Sequence, residues 1–309
     1  MSDLSGTRVL VTGGGGFVGA PTVRALVERG SKVRVLDLAV PRQLADLPCE
    51  VVIGDVADLE TVARACDGCE RVIHLAVLPL NRANAAVTDA FDSNVRGSFN
   101  VFRAAGERGV KRVVYSSASS AYGPTDAVPI REDHPLRPAA FYPASKAAAE
   151  LLMRGLAGTY GFSFTILRYM NVYGPGQRAG VVPAVTRALL ANQRPRLTGD
   201  GSQAFDFVHI EDCALANLLA LESDVDGEDF NVGCGEATSL NELVAVLGSI
   251  VGVDVEPEYS GEPLALPPRV GDTSKSRDLL GFQAQIPLRE GLAGVVDELR
   301  AAEPAGTPG

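Results

Sequence analysis

The fold follows from one stretch of sequence, Val9-Leu-Val-Thr-Gly-Gly-Gly-Gly-Phe-Val-Gly19. Its first four residues predict a buried strand, Gly13, Gly16 and Gly19 have the spacing G-x-x-G-x-x-G, and a helical pattern follows. Glycine is needed where a chain turns tightly off a strand, approaches a pyrophosphate closely and packs a helix against the sheet. The helix N-terminus then offers unpaired N–H groups to the phosphates. The stretch therefore predicts a dinucleotide-binding strand–turn–helix unit.

An acidic residue at the end of the second predicted strand indicates which dinucleotide binds. Asp37 follows Gly19 by 18 residues. A carboxylate there accepts both hydroxyls of the adenosine ribose and repels the 2′-phosphate of NADP, so NAD is favoured. The spacing makes the alternative, that Asp37 merely starts a turn, the weaker one. After the third predicted strand, Asp55 suits an adenine contact beside Val56, although Asp55 and Asp58 also compete to cap the next helix.

The first 170 residues alternate short β-branched runs with longer helical patterns. Strands that are apolar throughout and separated by helices indicate a parallel sheet covered on both faces. We therefore predict an α/β fold with a doubly wound parallel sheet of the Rossmann type. The predicted strands are Arg8–Thr12, Lys32–Asp37, Glu50–Ile53, Arg71–Leu75, Arg112–Ser116 and Ser163–Arg168, and the helices between them are Pro21–Arg29, Asp89–Arg108 and Pro143–Tyr160.

After about residue 175, prolines separate shorter elements. We expect residues 1–175 to form the NAD-binding Rossmann domain with its catalytic helix. Residues 176–309 should form mainly a smaller, partly interleaved α/β lobe that binds substrate, with a disordered tail over 303–309. Ligands bind outside the carboxyl ends of the strands in such folds. The helices predicted here are Val181–Asn192, Ile210–Leu221, Leu240–Val251 and Leu288–Ala302.

Composition excludes several classes of function. The chain has 309 residues, 46% of them hydrophobic, and a net charge of -10. That charge argues against nucleic acid, whose binding needs a basic face. No apolar run reaches the roughly 18 residues of a membrane span and the N-terminus does not resemble a signal peptide, so we expect a cytoplasmic protein. Cys66 and Cys69 form a Cys-x-x-Cys in a predicted loop without a second pair, and no metal site is expected.

A second motif, Tyr142-Pro-Ala-Ser-Lys146, opens an alanine-rich helical stretch. Residues four apart share a helix face, so the tyrosine oxygen and the lysine ammonium point the same way. The ammonium and a positive nicotinamide ring are expected to lower the tyrosine pKa from about 10, which lets Tyr142 accept a proton from a substrate hydroxyl. The alternative is an ordinary amphipathic helix with a surface lysine. The serine-rich strand end 115–123, one strand–helix unit earlier, argues against it because its hydroxyls can hydrogen-bond a reacting oxygen.

With these motifs in place, the chain resembles an extended short-chain dehydrogenase/reductase of the NAD-dependent epimerase/dehydratase group, which acts on nucleotide sugars. The resemblance covers nearly the whole chain and is specific for the family, much less for the reaction. The motifs that carry it are Thr12–Gly19, Asp37, Gly54-Asp55, His74-Leu-Ala76, Asn94-Val-Arg-Gly97, Ser116–Gly123, Tyr142–Lys146, Leu167–Gly176, Gly199-Asp-Gly201, Asp206-Phe-Val208 and Arg269-Val-Gly-Asp272.

The resemblance also implies roles for individual residues. It implies a homodimer through a four-helix bundle of the 89–108 helix and the helix after Tyr142. The cofactor-binding set it implies, together with the motifs above, is Gly13, Gly16, Phe17, Val18, Gly19, Asp37, Asp55, Val56, Leu75, Ala76, Asn94, Tyr142, Lys146 and Met170. Candidate substrate-binding residues are Ser119, Ser120, Asn171, Arg178, Phe205 and Arg269. His74 is expected instead to make a core hydrogen bond.

The sequence departs from the family pattern at two places. Five residues before Gly123, where the family usually has the catalytic Ser or Thr, this chain has Ala118. Ser117, Ser119 and Ser120 are the candidates to replace it, and we name Ser117 and Ser119 beside Tyr142 and Lys146 as catalytic. The second departure is Phe205, which stands where the family usually has a diphosphate-binding Arg. Arg269 remains and Arg178 is a candidate replacement, and a substrate with fewer phosphates is the alternative.

Three reactions and one non-enzymatic role fit this pattern. We favour an epimerase, acting at C4, in which Tyr142 is the base and the sugar passes through a transient keto form. A sugar or alcohol dehydrogenase, or a ketoreductase, with net hydride transfer is the runner-up. A 4,6-dehydratase or decarboxylase ranks lower, because the acid and base positions of the dehydratases hold Ser119 and Ser120. A cofactor-binding sensor is disfavoured by the retained Tyr–Lys pair.

Overall fold

The computed structural model describes residues 3–262 and 267–302. Its strands and helices, in chain order, are β1 (Arg8–Thr12), α1 (Gly19–Glu28), β2 (Lys32–Asp37), β3 (Glu50–Ile53), α2 (Leu59–Cys66), β4 (Arg71–His74), α3 (Leu80–Ala83), α4 (Val87–Ala90), α5 (Gly97–Glu107), β5 (Arg112–Ala118), α6 (Phe141–Tyr160), β6 (Ser163–Tyr169), β7 (Asn171–Tyr173), α7 (Val181–Leu190), β8 (Arg196–Thr198), β9 (Ala204–Phe205), β10 (Phe207–His209), α8 (Ile210–Glu222), β11 (Glu228–Val232), β12 (Thr238–Ser239), α9 (Leu240–Val251), β13 (Glu258–Ser260) and α10 (Leu288–Ala302). None of these helices is both long and apolar enough to cross a membrane.

Seven parallel strands form the main sheet in the order β11-β6-β5-β4-β1-β2-β3. The chain runs outward from β1 to β3 and then crosses back to place β4 on the other side of β1. The strand order therefore reverses between β1 and β4, and open α/β sheets bind ligands at the carboxyl ends of strands at such a point. The predicted doubly wound parallel sheet is confirmed.

Each face of this sheet is covered by helices. Along β1, Val9 and Val11 belong to a hydrophobic cluster that includes Val23 of α1, whereas Leu10 belongs to a cluster on the other face that includes Phe102 of α5. Alternate residues of a strand point to opposite faces, so a strand covered on both faces is apolar at every position. Helices α1 and α8 pack together on one face, and α2, α5 and α6 cover the other.

The last third of the chain is shared between the main sheet and a smaller α/β lobe. Helices α7, α9 and α10 pack around a third cluster that includes Val185, Leu247 and Val295. Between these helices the chain returns to the main sheet, since α8 packs on α1 and β11 pairs with β6. Three two-stranded ladders, β7–β10, β9–β12 and β8–β13, lie outside the main sheet. The tail 303–309, predicted to be disordered, lies outside the described residues.

Local interactions explain several element boundaries. Asp58 caps α2 by accepting from the N–H of Glu60, which decides between the two candidate caps. Strand β5 runs to Ala118, two residues beyond its predicted end. The helix predicted over 89–108 is interrupted by a π-helical segment, Phe91–Arg96, between α4 and α5. The structure thus lengthens the serine-rich strand that leads into the site.

The cysteines are all free. Cys66 ends α2, and Cys69 lies in the loop before β4, as predicted. Both are buried, and burial raises the pKa of the Cys66 thiol to about 12. A thiolate, the reactive form of cysteine, is therefore disfavoured at this pair.

Candidate active site

The glycine turn after β1 is sterically crowded. A Cβ on Gly13 would lie 2.8 Å from the Cα of Ala76, and a Cβ on Gly19 would lie 2.1 Å from the carbonyl oxygen of Gly13. Gly13 also has a φ of +69°, which disfavours other residues. The absence of side chains lets the backbone of the turn approach a ligand at the start of α1, as a pyrophosphate site requires.

Asp37 at the end of β2 holds this turn in place. Its carboxylate accepts from the N–H of Gly15 at 2.9 Å and from the N–H of Leu38 at 2.8 Å. Gln43 donates to the carbonyl of Gly15 from the opposite side. Each carboxylate oxygen has more than one lone pair, so Asp37 can bind these amides and still accept from ribose hydroxyls.

One cavity of about 630 Å³ runs from the glycine turn to the N-terminal part of α6. Its wall includes all but one of the cofactor-binding residues predicted from the sequence: Gly13, Gly16, Phe17, Val18, Gly19, Asp37, Asp55, Val56, Leu75, Ala76, Tyr142, Lys146 and Met170. The crowded glycines, the acidic residue at the end of β2 and the largely apolar wall fit a bound NAD.

Asn94 is the predicted cofactor residue outside this lining. Its amide accepts from the N–H of Leu78 at 2.7 Å and donates to the carbonyl of Leu78 and to the hydroxyl of Ser145. It therefore ties the loop after β4 to α6 from behind the wall. Its direct contact with the cofactor stays a prediction.

Tyr142 and Lys146 share the face of α6 that borders the cavity. Helix α6 starts at Phe141, and the N–H of Tyr142 donates to Asn84 Oδ1 at 3.0 Å. Lys146 is only 3% exposed. Its ammonium donates to the carbonyl of Ser116 in β5 and lies 4.7 Å from the centre of the Tyr115 ring.

Burial controls the pKa values of this pair. It raises the pKa of Tyr142 to about 12 and lowers that of Lys146 to about 7. Desolvation is the cause of the raised tyrosine pKa in the cofactor-free protein. The lowering expected from the ammonium together with a bound, positively charged nicotinamide ring stays a prediction.

His74 lies beneath the cavity and is fully buried. Its ring nitrogens lie 2.6 Å from the Thr12 hydroxyl and 2.9 Å from the Ser98 hydroxyl. Burial lowers its pKa to about 3, so the ring is neutral. The prediction of a core hydrogen-bonding histidine is confirmed.

Part of the serine-rich segment borders the cavity. Ser116, Ser117 and Ala118 line it, and the hydroxyl of Ser117 donates to Glu150 on α6. Ser119 is buried, and the Ser120 hydroxyl is buried without a hydrogen-bond partner among the described residues. Ser117 would have to leave Glu150 to reach a substrate, so its catalytic role and that of Ser119 stay predictions.

Two of the predicted substrate-binding residues, Phe205 and Arg269, are neighbours through backbone pairing. The N–H of Asp206 donates to the Arg269 carbonyl, and the N–H of Arg269 donates to the Ala204 carbonyl, each at 3.0 Å. Arg269 donates to the carbonyls of Ser119 and Gly123 at 3.0 and 3.2 Å, beside the serine segment. Phe205 borders a second cavity of about 1140 Å³, between α7 and β8. Arg178 is exposed in the connection before α7. Asn171 is the first residue of β7. Its contact with the phosphates of a substrate stays a prediction.

The second cavity has its own polar group. The side-chain carbonyl of Gln203 is buried without a hydrogen-bond partner among the described residues, while its amide nitrogen donates to the Thr198 carbonyl at 2.9 Å. Gln203 and Phe205 both line this cavity. An unpaired acceptor beside an aromatic ring can receive a hydrogen bond from a ligand.

Comparison with known proteins identifies the family. Residues 9–233 match the NAD dependent epimerase/dehydratase family. The chain belongs to this family. It is an NAD-dependent enzyme of the extended short-chain dehydrogenase/reductase type, so the predictions of family, fold, enzyme class and cofactor are confirmed.

Several members of the family are similar over nearly their whole length. A putative UDP-glucose 4-epimerase of Methanocaldococcus jannaschii is 32% identical over 94% of this chain and 98% of its own. The structure of a Thermotoga maritima UDP-glucose 4-epimerase with UDP-glucose has a TM-score of 0.89, with 32% identity over 96% of this chain and 99% of that one. A Thermus thermophilus UDP-glucose 4-epimerase in complex with NAD has a TM-score of 0.86, with 31% identity over 96% of this chain and 100% of that one.

Sequence reasoning missed part of the cavity wall. Ser116 could have been found, because it is the first hydroxyl of the serine-rich strand end. The segment between β4 and α5 gives no such signal, because its residues reach the cavity only through the path of the loop. The lining residues that were missed include Leu38, Arg82, Asp89, Ser93, Ser116 and Val172.

Proposed function

We propose that the protein is an NAD-dependent epimerase that inverts C4 of a UDP-hexose such as UDP-glucose. The observation that carries this proposal is the single cavity, which joins the glycine turn and Asp37 to Tyr142 and Lys146. Its relatives named UDP-glucose 4-epimerase support the choice of reaction and of substrate.

The mechanism assigns one role to each member of the pair. Bound NAD supplies the site that accepts the C4 hydrogen with its electron pair and later returns it. Tyr142 takes the proton of the C4 hydroxyl as the ketone forms and gives it back when the ketone is reduced on its other face. Lys146 holds a positive charge beside the phenolate and lowers the cost of forming it.

The second lobe holds the nucleotide in this proposal. Residues 1–175 form the NAD-binding domain, and 176–309 supply mainly the substrate lobe. Asn171 and Arg269 contact the phosphates, and the cavity beside Phe205 takes the uridine. Phe205 provides an aromatic surface but no charge, so the grip on the diphosphate depends on Arg269, with Arg178 as the nearest candidate to help.

A dehydrogenase is the second candidate, and one observation favours it. Ala118 occupies the wall position where a hydroxyl would hold the reacting oxygen. Without that hydrogen bond, the keto intermediate is retained less firmly and can leave before it is reduced. Net oxidation would then release NADH in proportion to product.

The test separates these reactions directly. We expect denatured protein to release NAD, and native protein to convert UDP-glucose to UDP-galactose without accumulating absorbance from NADH. Stoichiometric NADH would favour the dehydrogenase instead. No reaction with any UDP-hexose, although NAD is bound, would contradict the proposed substrate class.

We also propose a homodimer in the cytoplasm. Leu80 on α3, Val87 on α4 and Leu151 on α6 are large apolar side chains that are exposed, Leu151 by 68%. Exposed apolar side chains that group together mark an association surface. Light scattering should show a dimer that Leu151→Glu dissociates. Free thiols at each cysteine fit a reducing compartment.

A further inference from the structure

A buried cluster of charges lies next to the reaction cavity and takes no part in the mechanism above. Glu150 is 1% exposed and Arg168 is 4% exposed. The Arg168 Nη2 atom lies 2.7 Å from Glu150 Oε2 and 2.6 Å from Asp229 Oδ2. Desolvation cancels much of the attraction in a pair buried this deeply, so net stability alone does not account for it.

Glu150 is linked to both elements that hold Lys146. It lies four residues after Lys146 on α6, and residues at this spacing are neighbours on a helix. It accepts the hydroxyl of Ser117 in β5. The preceding residue of that strand, Ser116, accepts the Lys146 ammonium at its carbonyl.

Among the described residues around Lys146, Glu150 is the only one whose side chain carries a negative charge at neutral pH. The pKa of His74 is lowered to about 3, so its ring is neutral. Burial lowers the pKa of Lys146 to about 7, and the Glu150 carboxylate raises it against that effect. The titratable groups that act on Lys146 are Glu150 on α6, Tyr115 on β5 and His74 on β4. Tyr142 lines the same cavity as Lys146, and Arg168 on β6 contacts Glu150.

We propose that Glu150 is a positioning residue, whose buried negative charge keeps Lys146 protonated into the neutral range and whose hydrogen bond holds β5 against it. The proposal rests on the proposed function, which needs a charged Lys146 beside Tyr142. Glu150 itself touches neither substrate nor cofactor and acts only through Lys146 and Ser117.

The protonation of Lys146 can be measured without substrate or cofactor. The lysines of the chain are Lys32, Lys111, Lys146 and Lys275, so a ¹³C-lysine-labelled sample gives few Cε signals, and Lys146→Met identifies one of them. In Glu150→Gln, we expect the midpoint of the Lys146 titration to fall by about one to two pH units, since a unit charge about one helical turn away acts through an effective dielectric constant of about 20. An unchanged midpoint would overturn the proposal.

Asp229→Asn is the matched control. It removes the other carboxylate that contacts the same Arg168 Nη2, but from β11 at the edge of the sheet. We expect it to destabilise the fold and to leave the Lys146 midpoint in place. An equal shift in both variants would show that Lys146 responds to a loosened core, and the proposal would fail.

Two further variants keep the test decisive if Glu150→Gln does not fold. Glu150→Asp retains the charge and should leave the midpoint near that of the wild type. The double variant Glu150→Gln/Arg168→Met replaces the buried pair by neutral side chains, a change that folded proteins often tolerate. Its midpoint should still lie below the wild-type value, because Glu150 is the charged side chain that acts on Lys146. A midpoint equal to that of the wild type would contradict the role of Glu150.

Activity provides an independent readout. The alkaline limb of the kcat profile should move to lower pH in Glu150→Gln by the same amount as the Lys146 midpoint, with little change in the KM for UDP-glucose. A variant that loses activity equally at each pH would contradict the role. If the wild type epimerises no sugar nucleotide, the proposed function fails, while the titration still decides whether Glu150 controls Lys146.

Discussion

The two large cavities of this protein are built from different parts of the chain. The cofactor cavity is shaped by backbone, since a Cβ on Gly15 would lie 2.6 Å from the ring of Pro41. The cavity between α7 and β8 is shaped by long side chains, such as Arg196, which pairs with Glu258 at 3.2 Å. The cofactor cavity should therefore tolerate few substitutions, whereas a change of one side chain can alter the shape of the cavity between α7 and β8.

The largest effect should come from the proposed base in the cofactor cavity. Tyr142→Phe removes the proposed base, and acid–base groups contribute about 10²–10⁴-fold to rate. We expect kcat with UDP-glucose to fall by about 10³-fold, while the amount of NAD released on denaturation stays the same. Tyr160→Phe, at the other end of α6, is the control. Turnover within tenfold of wild type would exclude Tyr142 as the base.

The next largest effect should come from adding a side chain in the glycine turn, where the geometry leaves no room for a Cβ. The Cβ of Gly19→Ala would lie 2.1 Å from the Gly13 carbonyl oxygen. We expect a loss of about 2–3 kcal/mol in the free energy of unfolding, typical of an overpacked site, together with loss of bound NAD. Gly158→Ala on α6 meets nothing within 4 Å and should stabilise the helix by about 0.5–1 kcal/mol. Equal urea midpoints for the two variants would refute the comparison.

His74, beneath the cofactor cavity, should make the free energy of unfolding depend on pH. The pKa of His74 is about 3 in the folded protein, against 6.5 for a free histidine. Below pH 6.5 the unfolded chain binds a proton that the folded protein does not, so stability falls as pH decreases towards 3. The loss at pH 5 is about 2 kcal/mol.

His74→Gln removes this contribution, and urea unfolding at neutral pH and at about pH 5 measures it. The stability difference between the two pH values should be smaller in the variant. Burial raises the pKa of Asp206 to about 6, which acts in the opposite direction but equally in both proteins. A difference that is the same in both would show that His74 is not the source.

The smallest effect should come from the side-chain-built cavity. Phe205→Arg introduces a cation beside the proposed diphosphate site, and hydrogen bonds to charged groups contribute about 1.5–3 kcal/mol. Part of that is lost in ordering the side chain, so we expect the KM for UDP-glucose to fall about tenfold. Phe205→Leu removes the aromatic surface without adding a charge and should raise the KM. A higher KM in Phe205→Arg would mean that the new cation does not reach the diphosphate.

Much of the first cavity was predictable because its requirements are local. Gly16 and Gly19 are set by contacts within one turn, Gly13 by its positive φ, and Asp37 by its place at the end of a strand. The second cavity was not predicted, since Gln203 and Phe205 meet α7 and β8 there only through tertiary packing. The helix predicted over 89–108 was correct in extent, but its π-helical segment was not predicted.

The sequence by itself determined the doubly wound sheet, the NAD turn and the Tyr142–Lys146 pair. The physical reason is that strand burial, steric crowding at glycines and helix periodicity act over a few residues. Only the tertiary structure decided that Ser117 faces Glu150, that Arg269 is held by the serine segment, and that burial raises the pKa of Tyr142. Those properties depend on which groups lose water together, and residues far apart in the chain control that.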